Sequence, residues 1–202
     1  GCVLWKGLVV TGCRVLSAVG RNRCGLSNAL QMDVQTDVSS ISLLNVHMKS
    51  GCFVDNYSRS DSEACKVFAE QAPLLDQWIE EQEQQNRPYI VLSDFNHRLS
   101  ATYNHLTQQL FTNSDGSVSS LQNTTANLIG CHPYYPAPID LVFLGGIPSY
   151  SMSYKTQSHK FESMQVESML SDHCAVSLSI STKLSALSDA VKWQTTSKQY
   201  QC

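Results

Sequence analysis

Tyr89-Ile90-Val91-Leu92-Ser93-Asp94-Phe95-Asn96 is the stretch on which the reading of this 202-residue chain turns. Residues 89–92 make a short apolar run, the mark of a strand covered on both faces. It runs directly into Asp94 and Asn96, which strand alternation points the same way. A carboxylate at the end of a buried strand costs free energy unless it is paired or bound to a cation.

The same pattern recurs on either side. Residues 42–47 form another apolar strand that closes on Asn45-Val46-His47, with Asn45 and His47 on one side. Pro138-Ile139-Asp140-Leu141-Val142-Phe143-Leu144 sets one carboxylate in a hydrophobic strand. Ser171-Asp172-His173 stands directly before a further strand at 174–180. Asp94, Asp140 and Asp172, with His47, His97 and His173, can converge at one rim of the sheets. Hard oxygen donors of this kind suit Mg²⁺ or Mn²⁺ better than zinc.

Around these strands the pattern predicts an α/β domain with two sheets and interspersed helices. Residues 8–11 and 14–17 read as short strands with a turn at Gly12-Cys13, and residues 28–36 alternate as a half-buried strand. Residues 37–40 form a turn, which makes 28–36 and 42–47 a hairpin. An N-cap within residues 60–63 opens a helix to about Gln84, carried by Val67, Phe68, Leu74, Leu75, Trp78 and Ile79. Pro73 is expected to kink or split it. A second helix spans about 102–111, residues 113–116 form a loop, and 149–155 make a weaker strand. Residues 1–182 are assigned to the domain and 183–202 to a polar tail.

Composition narrows the function. A net charge of -3 excludes bulk positive charge as the means of holding nucleic acid, so any such binding needs a local cleft. No apolar run approaches the ~20 residues of a membrane span. The eight cysteines include no Cys-x-x-Cys pair, which removes a zinc module. Cys52 and Cys65 flank a polar loop and either bridge it or stay unpaired. Cys174 reads as core. The cysteine count favours a secreted or periplasmic setting without establishing one.

The segments Asn45-Val46-His47-Met48-Lys49-Ser50, Leu92-Ser93-Asp94-Phe95-Asn96, Ile139-Asp140-Leu141-Val142-Phe143 and Leu170-Ser171-Asp172-His173 resemble, in order, the motifs of the endonuclease/exonuclease/phosphatase superfamily. That group includes pancreatic-type deoxyribonucleases, and the nearest likeness is to uncharacterised bacterial members that also carry Lys49-Ser50-Gly51-Cys52 and a cysteine like Cys65. The resemblance implies a four-layer sandwich of two mixed sheets flanked by helices. It implies a Mg²⁺- or Mn²⁺-dependent hydrolase, most simply a nuclease acting on nucleic acid. Asp94, Asn96 and Asp172 are then the metal ligands. His173 oriented by Asp140 assists proton transfer, and His47 serves a phosphate oxygen or the leaving group. Asn45, Lys49 and Arg98 are further candidates for the phosphate, while His97, His105 and His132 are expected at the surface. The motifs that normally precede these, an early Asn and a metal-binding Glu, are not found, so the chain is expected to be the C-terminal part of such a domain. A phosphatase, a sphingomyelinase-like phospholipase and a non-catalytic fragment that only binds partners are the alternatives.

Overall fold

The computed structural model describes residues 9–16, 29–36, 39–99, 101–147 and 152–182. Six strands, β1 (Val9–Leu16), β2 (Ala29–Gln35), β3 (Ser40–His47), β4 (Tyr89–Asp94), β5 (Gln122–Asn123) and β6 (Asp140–Gly145), form one sheet in the order β1-β2-β3-β4-β6-β5. The β3–β4 pair is parallel and the others are antiparallel, so the sheet is mixed. β7 (Met152–His159) and β8 (Ala175–Thr182) make a second, antiparallel sheet. Among the described residues the α-helices are α1 (Glu63–Gln84) and α2 (His105–Leu110). The two-sheet α/β architecture read from the sequence is therefore present.

Strand alternation sorts the large sheet into two buried faces. Leu44, Val46, Tyr89, Val91, Leu141 and Phe143 pack with Phe68, Leu75, Trp78 and Ile79 of α1 in one core cluster. Ile41, Leu43, Ile90, Leu92, Val142 and Leu144 pack against Val176, Leu178 and Ile180 of the small sheet in the other. Helices and small sheet thus sandwich the large one. Trp78 Nε1 donates to Gln31 Oε1 at 3.1 Å, a buried polar pair satisfied between α1 and β2.

Three local expectations are corrected. Residues 9–16 are one strand, not two with a turn; the pairing of β1 with β2 shifts register between Val10 and Gly12, so the glycine marks a bulge. Pro73 lies inside α1 without splitting it, because apolar anchors on both sides of it, Phe68 and Ala72 before, Leu75 and Trp78 after, hold the helix to the sheet. Their burial outweighs the ~3 kcal/mol that an internal proline costs. The second helix is shorter than 102–111, since Asn104 caps it by accepting from the amides of Leu106 and Thr107. Ser62 occupies the cap position of α1 but makes no side-chain cap bond.

Far from the ends of β3 and β4 that carry the polar motifs, Glu83 accepts from Tyr89 Oη (2.8 Å), Ser119 Oγ (2.7 Å) and the Ser120 amide (2.9 Å). Burial opposes its charge, but these bonds outweigh it and hold the carboxyl below the ordinary range. Tyr89 pairs with Gly145, and a methyl group at Gly145 would run into the Tyr89 ring. The tail assigned to 183–202 lies outside the described residues, as do residues 37–38 and 148–151.

Candidate active site

The register of the large sheet builds the site. His47 pairs with Asp94 across β3 and β4, and Asp94 pairs with Asp140 across β4 and β6. Three of the candidate side chains therefore stand in one row at one end of the sheet. They fall on the face that carries Leu43, Ile90, Leu92 and Val142, the face covered by the small sheet. His173 enters from the loop before β8 and completes the group.

Its Nδ1 lies 2.9 Å from both Asp140 carboxylate oxygens. A carboxylate can only accept, so Nδ1 donates and Nε2 carries the lone pair when the ring is neutral. Nε2 sits 3.8 Å from Asp94 Oδ2. Burial disfavours the His173 cation, yet the hydrogen bond and charge of Asp140, with Asp94 and Asp172, outweigh it and raise the pKa. Asp140 is pushed up by its own burial, against the opposing pull of His173.

Asp94 is the hub. His47 Nε2 is 3.3 Å from its Oδ2. Asn96 donates its amide to Asp94 Oδ1 and its Nδ2 to Asp94 Oδ2, both at 2.9 Å, and Nδ2 also reaches the Met48 carbonyl at 3.2 Å. This arrangement needs Asn96 at φ +48°, a left-handed conformation that asparagine tolerates better than most residues. The backbone bonds Met48 N to Asp94 O and Phe95 N to Ile139 O, each 2.9 Å, lock the three strand ends together.

The remaining candidates are placed as follows. Asp172 is exposed, with Oδ1 3.9 Å from His173 Nε2. Asn45 lies on the site's face one step back from His47 and donates to the Leu92 carbonyl at 3.3 Å. Lys49 is half-buried, and its amide donates to Gln71. Arg98 is exposed and lies over the Tyr135 ring, 5.8 Å from its centroid.

His97 does not join the rim, nor does it lie at the surface. It is 2% exposed, with Nδ1 on the Cys52 carbonyl (2.9 Å) and Nε2 accepting from Asn104 Nδ2 (3.1 Å). Burial pushes its pKa down, which keeps it neutral. Cys52 and Cys65 are bridged, with Cα atoms 4.8 Å apart. Cys174 is not simple core: it is bonded to Cys131. No spacing signal marks that second bridge, because eight cysteines leave its connectivity open.

The donors present fit a hard divalent cation. Single ligand atoms of Asp94, Asp140 and His173 lie within 4.8 Å of one another, and Asp140 is engaged by His173. That leaves Asp94 as the inward carboxylate, a hard oxygen donor of the kind Mg²⁺ takes together with substrate phosphate, while Asp172 lies exposed beside His173.

No family model matches the sequence, and no curated protein matches it as a relative. Solved structures do match. An endonuclease/exonuclease/phosphatase from Bacteroides vulgatus aligns at TM-score 0.56 and 15% identity, over 88% of this chain and 67% of its own. The 3′ phosphatase NExo from Neisseria, bound to a product DNA hairpin, gives 0.56 and 11%, over 87% and 72%. TDP2 of D. rerio, complexed with a single strand DNA product, gives 0.58 and 13%, over 87% and 69%. The chain has the endonuclease/exonuclease/phosphatase fold, and it spans about two thirds of the length of the structures it matches.

Proposed function

We propose that the protein is a divalent-cation-dependent phosphodiesterase whose substrate is a nucleic acid. The observation that carries this reading is the row of His47, Asp94 and Asp140 closed by His173 at 2.9 Å. A cation held by Asp94, Asn96 and Asp172 would supply charge neutralisation at the phosphoryl oxygens.

The protein's own groups account for the proton transfers. Asp140 holds Nδ1–H of His173, which aims the Nε2 lone pair at the attacking water. As the water oxygen bonds to phosphorus, its proton passes to Nε2, and the raised pKa stabilises the imidazolium that results. The bond to the leaving oxygen breaks, and His47 gives that oxygen a proton. Asn45, Lys49 and Arg98 serve the phosphate. Tyr135 is 57% exposed beneath Arg98, and an aromatic ring paired with a guanidinium suits the stacking of bases better than the binding of a sugar phosphate.

The test is cleavage of DNA and RNA with added Mg²⁺. Asp94→Ala and His173→Ala should each lower the rate about 10²–10⁴-fold. Hydrolysis of sphingomyelin or inositol phosphates without cleavage of either nucleic acid overturns the nuclease reading, and no hydrolysis of any of them overturns the enzymatic one.

A further inference from the structure

Asp140 and His173 belong to different sheets. Asp140 begins β6 of the large sheet, whereas His173 precedes β8, whose ladder partner among the described residues is β7. The sheets meet through side chains such as Val142 and Leu144 against Val176 and Leu178. Apolar packing of this kind is not directional and does not by itself fix an imidazole against a carboxylate. The His173 amide is served within its own loop, by Ser171 Oγ at 3.1 Å.

A covalent tie is present at this end. Cys174, the residue after His173, is bonded to Cys131, with Cα atoms 5.2 Å apart and both residues buried. Cys131, Cys174, Pro138, Ile139, Asp140 and Val176 line one small crevice, which places the bridge beside the dyad. The segment that carries Cys131 is itself fastened to the large sheet. Phe95 N, just past β4, donates to Ile139 O, and Val142 N of β6 donates to Thr125 Oγ1 at 3.3 Å, while Gly130 N donates to Pro136 O at 2.7 Å within the segment. The Cys52–Cys65 bridge lies elsewhere, tying the loop before α1 to α1 itself.

We propose that the Cys131–Cys174 disulfide is a positioning device: it clamps the His173 segment to the Asp140 segment and sets the hydrogen bond between them. Its kinetic consequence rests on the phosphodiesterase reading; the clamp itself does not.

Two measurements separate these claims. The first is the hydrogen-bonded Nδ1 proton of His173, seen as a downfield imidazole resonance and assigned by its loss in His173→Gln. Cys131→Ala/Cys174→Ala should lose this resonance while keeping the wild-type circular dichroism and a cooperative melt, and Cys52→Ala/Cys65→Ala should keep it. Should the alanine pair fail to fold, Cys131→Val/Cys174→Val fills the volume and is read in the same way. A wild-type spectrum without the resonance, or a clamp variant that retains it, overturns the proposal.

The second is a double-mutant cycle on the phosphodiester reaction. The clamp variant should lower kcat roughly ten- to a hundredfold with KM unchanged. In an Asp140→Ala background it should cost nothing more, because there is then no hydrogen bond to position. Fully additive losses overturn the positioning role. An inactive wild type overturns the phosphodiesterase reading alone, since the resonance still decides the clamp.

Discussion

At the scale of the residue, the protein separates two kinds of polar burial. Asp94 is a carboxylate surrounded by donors that do not cancel its charge outright: the Asn96 amide and Nδ2, with His47 and His173 nearby. His97 is the opposite case, a neutral ring with both nitrogens spent on Cys52 and Asn104. The residue types alone do not distinguish them, and the sequence reading grouped His97 with the rim. Its neighbours decide the matter, and they come from 45 residues upstream and 7 downstream. Replacing His97 by Leu leaves the Cys52 carbonyl and the Asn104 amide unpartnered in the core. The cost should be about 2–3 kcal/mol, read as a fall in melting temperature of roughly 5–10 °C.

At the scale of the element, strands with polar ends were legible because period-two alternation and a terminal Asp or His coincide in a few residues. β3, β4 and β6 all follow from that signal. β5 was not legible: two residues carry no periodicity, and its place is set by pairing with Leu144 and Phe143. The role of Gly12 was misread because a turn and a bulge use the same residue. Helix α1 meets α2 through Asp76, which accepts from Gln109 Nε2 at 3.1 Å. Burial raises the Asp76 pKa to about 6; the Gln109 bond opposes that rise and the charge of Glu80 adds to it. A carboxyl whose folded pKa lies above its unfolded value costs stability as pH climbs between the two, from about 4 to 6, and the cost persists above. Asp76→Asn should therefore stabilise the protein at pH 7, by about 1 kcal/mol once the residue's partial solvent exposure is allowed for. Below pH ~4 the two proteins should unfold alike in denaturant titrations.

At the scale of the whole molecule, the net charge of -3 and the site describe different distances. The overall field does not favour a polyanion, whereas His47 and His173 stand beside one carboxylate hub, Asp94. A cation held at that hub, as proposed, would link the site to global stability by mass action. Mg²⁺ at a hundred times its dissociation constant should stabilise the fold by about 2.7 kcal/mol, visible as a raised melting temperature. Asp94→Ala should abolish that shift, and a chelator should reverse it. The order of the four motifs along the chain was readable from the start, but the tie between Cys131 and Cys174 was not, since connectivity among eight cysteines is not encoded in their spacing.

The contact between Tyr89 and Gly145 gives the sheet a datum. Counted from that pair, the partners run Ile90 with Leu144, Val91 with Phe143, and so on to Asp94 with Asp140. The alignment of the row His47, Asp94 and Asp140 is thus gauged about 17 Å away, at the opposite end of the strands. A slip of one place would turn Asp140 toward the helices and out of reach of His173. Gly145→Ala, which forces the Tyr89 ring aside, should accordingly depress turnover by more than its effect on the melting temperature explains, although it touches nothing in the site. Mutational scans that score tolerance by distance from the chemistry would mark this glycine as neutral, and steady-state kinetics on the variant would show it to be a calibration point.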